Sequence, residues 1–152
     1  MDENETIVNK LNAFSIRKSL LCIASIDLIL NFLNLLSSRN IESGTDKNIV
    51  MYTSLGLCFM ILLGIIGINR YKINFVYCYF IYSLIQLIKY ILIIFLLDNS
   101  GFIILSMLSL LVSCLILRLT SKFIKNLKSL DHIDIESLQN GWQPSQYRIV
   151  LY

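Results

Sequence analysis

Few residues in this chain could do chemistry away from water, and they fall into two stripes. Asp27, Asn31 and Asn34 recur at i, i+4 and i+7, so on a helix they share one face. Ser83, Gln86 and Lys89 recur at i, i+3 and i+6 and form a similar stripe. Both stripes interrupt otherwise apolar runs. A carboxylate, an ammonium and three amides in such surroundings can relay protons, hold a polar substrate, grip a partner helix, or hydrogen-bond one helix to another. Unpaired charge is costly in lipid, so all six residues are expected to face the interior of a helix bundle. The favoured expectation is an interhelical hydrogen-bond network that fixes packing. The alternative is a substrate or proton pathway. Asp27 is expected to be protonated or hydrogen-bonded, with Asn31 and the helix over residues 73–97 as the nearest candidate partners.

Depth separates the two charges. If the two stretches run in the same direction, Asp27 lies about eight residues and Lys89 about sixteen from their inner ends, a difference of roughly 12 Å. An Asp27–Lys89 ion pair would need Lys89 to reach inward, whereas snorkelling takes it outward. Asn31 and Gln86 fall at nearly one level.

Other chemistry is sparse. The sequence has no Ser-His-Asp arrangement, no HExxH and no glycine-rich phosphate loop, so an enzyme is not expected. The single His132 cannot make a metal cluster, and no metal or other cofactor is expected. Cys22, Cys58, Cys78 and Cys114 include no CxxC pair and read as small buried apolar residues; S-palmitoylation of Cys22, Cys78 or Cys114 is the alternative. Near the C-terminus, Tyr147-Arg148-Ile149-Val150 has the Tyr-x-x-Φ form of a clathrin-adaptor ligand, in which Tyr147 and Val150 would enter separate pockets.

The elements that position these residues follow from composition. The 152 residues are 56% hydrophobic and 15% charged, with a mean hydropathy of +0.69. The apolar residues come in continuous runs rather than stripes, which argues for membrane insertion over a soluble core. Residues 49 to 68 carry no charge, and residues 73 to 97 carry only Lys89. Between them, Asn69-Arg70-Tyr71-Lys72 reads as a tight turn held on the cytosolic side by its two cations.

The expected fold is an all-α integral membrane protein, a four-helix transmembrane bundle with both termini cytosolic. Spans are expected at about residues 19–36, 49–68, 73–97 and 102–117, forming a bundle over 19–117. Residues 1–18 are polar, do not have the pattern of a signal peptide, and form either a short interfacial helix or a frayed end. Beyond the bundle, residues 118–152 are expected to be a basic amphipathic helix and a flexible tail. In that helix Arg118, Lys122, Lys125 and Lys128 recur at i, i+4, i+7 and i+10 as a lipid-facing basic cluster. Ten of the thirteen Lys and Arg residues fall in the three segments assigned to the cytosol, a positive-inside bias. Small residues mark two helix faces, Gly64 and Gly67 on the second span and Ser106, Ser109 and Ser113 on the fourth, which suits close helix approach.

The four-span plan, the twelve-residue first outer loop and the segment Leu62-Leu63-Gly64-Ile65-Ile66-Gly67-Ile68-Asn69-Arg70-Tyr71-Lys72 resemble the lysosome-associated four-span transmembrane proteins and their invertebrate relatives. The similarity covers residues 45–97. It implies a trafficking role in endosomal, lysosomal or plasma membranes. The family's Pro-Pro-x-Tyr ligase-binding motif is absent: Gln143-Pro144-Ser145-Gln146-Tyr147 does not match it. The functional expectation is a non-enzymatic protein that binds other membrane proteins or lipids, including anionic lipids at the cytosolic face. A small transporter or channel subunit, or an accessory subunit of a larger membrane complex, is the alternative. Nucleic acid is not an expected partner.

Overall fold

The computed structural model describes residues 3–37, 45–96 and 100–142 and is all-helical over them. The helices are α1 (Glu3–Ser37), α2 (Thr45–Asn69), α3 (Ile73–Leu96), α4 (Ser100–Lys128) and α5 (His132–Gln139). Long helices suit this sequence. Its one proline, Pro144, lies beyond all of them, and a helix satisfies its own backbone polar groups, as a chain in hydrocarbon must.

Among the described residues, three helices are long and apolar enough to cross a membrane, over Met51–Asn69, Ile73–Phe95 and Ser106–Lys128. No more than 28% of any of these segments is buried by the protein itself. Apart from Lys89 and the cations at the end of α4, the remaining surface is mostly apolar, so lipid is the solvent that suits it.

The long helices form a ring in which α1 packs on α2, α2 on α3, α3 on α4 and α4 on α1. α1 and α3 therefore face each other across a diagonal. The core is concentrated toward the end of the ring that carries the α2–α3 turn. Leu20, Ile61, Ile68, Tyr71, Val76 and Phe123 are all fully or almost fully buried there. Toward the other end the large side chains point outward, among them Phe32, Tyr52, Phe95 and Ile104.

The turn between α2 and α3 has a defined cause. Lys72 N–H donates to Gly67 C=O at 2.8 Å, the six-to-one bond of a Schellman C-cap. The cap requires a left-handed residue, and Tyr71 supplies it with φ 51°. A non-glycine residue pays about 1–2 kcal/mol for that conformation. Tyr71 offsets this cost through its ring, which is 2% exposed, packs on Phe123 at 6.1 Å, and lies beneath the Arg17 guanidinium at 5.0 Å. The end of α5 repeats the cap in its usual form, with Gly141 at φ 92° and Trp142 N–H donating to Ser137 C=O.

Several expectations change. Residues 3–18 are neither a separate interfacial helix nor frayed; they continue α1 without a break. α2 begins at Thr45, so the expected loop over 37–48 is shorter. Residues 132–139 are a docked helix, not flexible tail. Leu138 is buried, Trp142 meets the Phe14 ring edge-on at 6.2 Å, and Lys10 pairs with Asp134 at 2.6 Å. The basic stripe on α4 stays exposed at Arg118, Lys122, Lys125 and Lys128, while Phe123 and Leu127 beside it are fully buried. The apolar face of that segment thus packs on protein. None of the cysteines is fully buried; Cys22 and Cys114 are exposed, and Cys58 and Cys78 are half-buried. Tyr147 and Val150 lie outside the described residues.

Candidate functional site: a polar recess in the helix ring

The two polar stripes face each other across the α1–α3 diagonal, where helix axes are too far apart for backbone contact and long side chains bridge the gap. Tyr79 of α3 donates its hydroxyl to Asp27 Oδ2 at 2.6 Å. Asn31 Nδ2 donates to the Tyr82 hydroxyl oxygen at 2.8 Å, and also to the Asp27 carbonyl one turn back at 2.9 Å. Gln86 Nε2 donates to the same Tyr82 oxygen at 3.1 Å. The rings of Tyr79 and Tyr82 stack with centroids 5.7 Å apart and planes 20° from parallel. Asn31 and Gln86 thus meet on one oxygen atom, at the common level their sequence positions imply.

Not every expected member joins. Lys89 is exposed on the outer face of α3, with its ammonium 5.6 Å from the Tyr90 ring centre. It makes no ion pair with Asp27 and does not belong to the polar centre. The helical period explains why: Ser83 and Gln86 point inward, and three further residues of rotation carry position 89 out of the ring. Ser83 is buried but turns its hydroxyl to Tyr79 C=O in its own helix, at 2.9 Å. The side chain of Asn34 lies outside the described residues.

Tyr79 and Tyr82 were not among the residues expected at the site. Tyrosine adds to the apolar character of a run, so a hydropathy reading passes over it. A signal was nonetheless present: Tyr79, Tyr82, Gln86 and Tyr90 follow each other at helical spacing, each with a hydrogen-bonding tip on one side of α3.

Beside the bridge lies a recess of about 210 Å³. Its polar wall is made by Asp27, Tyr82, Ser83, Gln86 and Tyr90, and α4 adds Ser109 and Ser113. Leu30, Leu108 and Val112 also line it and are roughly half or more exposed. They form its mouth, which opens at the seam between α1 and α4 onto the surface that lipid would cover. At ~30 Å³ per liquid water the recess holds roughly seven waters, or a small polar group with a short apolar neighbour.

Gln86 lines the recess. Gln86 is 8% exposed, and its Oε1 is buried with no partner. A buried unpaired polar atom costs about 1–3 kcal/mol. With Asp27, Tyr82 and Tyr90 also on its wall, the recess can hydrogen-bond a small polar or cationic group. Among the described residues no group of His, Cys, Asp and Glu side chains is arranged to hold a metal ion.

The small-residue faces divide. Gly64 and Gly67 lie against α3: a Cβ on Gly64 would run into Tyr79 Cβ, and one on Gly67 would come within 2.6 Å of Phe75 Cβ and Val76 N. These glycines set the α2–α3 spacing. Ser106 and Ser113 on α4 are buried in the ring, and Ser113 Oγ donates to Ser109 C=O at 2.9 Å. Comparison with protein-family models, characterised proteins and solved structures finds no match to this chain.

Proposed function

We propose that this protein is a non-enzymatic four-span membrane protein, both termini cytosolic, that binds a lipid or a helix of another membrane protein at the recess between α1, α3 and α4. Its observational basis is the recess itself, whose polar wall of Asp27, Tyr82, Ser83 and Gln86 stands behind a mouth of exposed apolar side chains. A fourth span over residues 19–36 is supported by the apolar side chains that α1 exposes there. Ile26, Ile29, Phe32 and Leu33 are each more than half exposed, a pattern that water would penalise and lipid would not. Cytosolic termini are supported by the charge bias, since Arg17, Arg70, Lys72, Arg118, Lys122, Lys125 and Lys128 gather at one end of the ring. The basic face of α4 would lie against the anionic lipids of that leaflet. Endosomal, lysosomal or surface placement rests on the resemblance over residues 45–97, and an adaptor interaction on Tyr147 and Val150.

Transport is the second reading, favoured by the titratable Asp27 on the recess wall. One pair of variants separates the two. Gln86→Leu makes part of the polar wall apolar at similar side-chain volume. Under the binding reading, native mass spectrometry of the purified protein shows a co-purifying lipid or protein that Gln86→Leu releases, at unchanged or slightly raised thermal stability. Under the transport reading, Asp27→Asn abolishes cation or proton flux in reconstituted vesicles. Neither a released ligand nor a lost flux would leave the recess without a function.

A further inference from the structure

A second recess lies at the opposite pole of the packed core, outside the helix ring. Arg17 of α1, Asn69, Arg70 and Lys72 of the α2–α3 turn, and Gln139 of α5 line a half-open recess of about 450 Å³. Three elements distant in sequence build it, so it is not a by-product of one helix end. Arg17 is fixed by two bonds, donating from Nη2 to Asn69 Oδ1 at 2.6 Å and from Nη1 to the Tyr71 hydroxyl at 3.2 Å. Gln139 Nε2 donates to Arg70 C=O at 2.8 Å. The left-handed Tyr71 reverses the chain within three residues, which brings its neighbours Arg70 and Lys72 to one cavity.

The lining is depleted of acceptors. Asn69 Oδ1 and Arg70 C=O are already taken by Arg17 and Gln139, and Gln139 Oε1 is left. Arg17 Nε is buried with no hydrogen-bond partner. Among the described residues neither Arg70 nor Lys72 has an ion-pair partner, and both are exposed. The acidic residues nearest in sequence to Gln139 are on α5: Asp134, paired with Lys10, and the exposed Glu136 one turn before Gln139. Three cations around one cavity repel each other, and the bland account is that they merely anchor the cytosolic turn. That account explains charge near the membrane surface. It does not explain why three elements converge on one open recess with Arg17 clamped in its wall and the neighbouring acceptors consumed.

We propose that Arg17, Arg70 and Lys72 form a binding site for a phosphomonoester. Guanidinium and ammonium groups supply charge-assisted bonds to phosphate oxygens, and a monoester carries about −1.5 to −2 charges, closer to the charge of the site than a diester. Two sources share this chemistry: the phosphorylated headgroup of an inositol lipid and a free phosphorylated solute. Asn69 ends one apolar segment and Ile73 begins the next, so the site lies at the level of lipid phosphates.

The test uses the full chain in phosphatidylcholine nanodiscs. Trp142, the only tryptophan, lies one turn beyond Gln139 and reports binding by fluorescence. Three probes are titrated: a short-chain phosphatidylinositol monophosphate, unphosphorylated phosphatidylinositol, and free inositol phosphate. The monophosphate should bind at least about tenfold tighter than its unphosphorylated counterpart. Arg70→Gln with Lys72→Gln should weaken it by about tenfold or more, whereas Lys122→Gln with Lys125→Gln, which removes equal charge from the outer face of α4, should cost less than about twofold. Equal losses in the two double variants, or no preference for the monoester with the unmodified protein, would overturn the site. If the free inositol phosphate binds as tightly as the lipid, the ligand is a soluble anion; if only the lipid binds, it is a headgroup.

Discussion

At the scale of single residues, the Tyr79 hydroxyl and the Asp27 carboxyl form the shortest bridge between α1 and α3. Tyr79 is fully buried, so removing its acceptor leaves a donor with nowhere to turn. Asp27→Asn keeps an oxygen for Tyr79 and should change stability little. Asp27→Leu removes the acceptor and should destabilise by about 1–2 kcal/mol. Tyr79→Phe in the Asp27→Leu background should cost less than it does alone, with a coupling energy of roughly 0.6–1.7 kcal/mol, the range of hydrogen bonds between membrane helices. Thermal unfolding of the four proteins in detergent completes the cycle; strictly additive effects would mean that the bridge carries no energy.

At the scale of elements, α2 contains three glycines in two kinds of environment. Gly64 and Gly67 face α3 with no room for a methyl group, while a Cβ on Gly56 meets nothing within 4 Å. Alanine at position 64 or 67 forces two helices apart against side chains whose Cβ and backbone atoms cannot swing away, and should cost about 1–3 kcal/mol each. Gly56→Ala should instead stabilise, by up to about 1 kcal/mol, because it only restrains the unfolded chain and improves helix propensity. Melting temperatures of the three variants rank them. A Gly56→Ala protein as weakened as Gly67→Ala would mean that α2 does not meet α3 through this face. The sequence marked Gly64 and Gly67 as a close-approach face on spacing alone, and the α2–α3 contact lies there. It could not separate them from the serines of α4, because small size is compatible with both a helix contact and a cavity wall.

At the scale of the molecule, topology follows from whether α1 crosses the bilayer. Asn4-Glu5-Thr6 is the only Asn-x-Ser/Thr sequon in the chain. With four spans and cytosolic ends, Asn4 meets no glycosylation enzyme and stays unmodified. A sequon introduced between residues 38 and 44, with spacer residues to clear the membrane, should be glycosylated, read as a glycosidase-sensitive mass shift on a gel. If α1 does not cross, Asn4 and the 38–44 segment lie on the same side, and the two sites behave alike. The docked α5 adds a constraint: Lys10–Asp134 and the Phe14–Trp142 contact hold the two ends of the described chain on one side of the ring.

The sequence by itself determined the class of protein and the long helices. Apolar runs of membrane-spanning length, a basic turn at Asn69–Lys72 and the absence of internal proline leave little else for such a chain to do. Local periodicity also placed Asn31 and Gln86 at one depth. Tertiary structure decided the rest, because it depends on which faces meet. Lys89 and Gln86 are three residues apart on one helix, yet one points outward and the other into the ring, and only the packing of α1 and α4 selects between them. Tyr79 and Tyr82 join the polar bridge because the diagonal of a four-helix ring is wide enough to need long side chains with polar tips. Arg17, Arg70 and Gln139 lie more than fifty residues from one another in sequence. No spacing rule relates them; the left-handed Tyr71 and the return of α5 onto the turn bring them to one cavity.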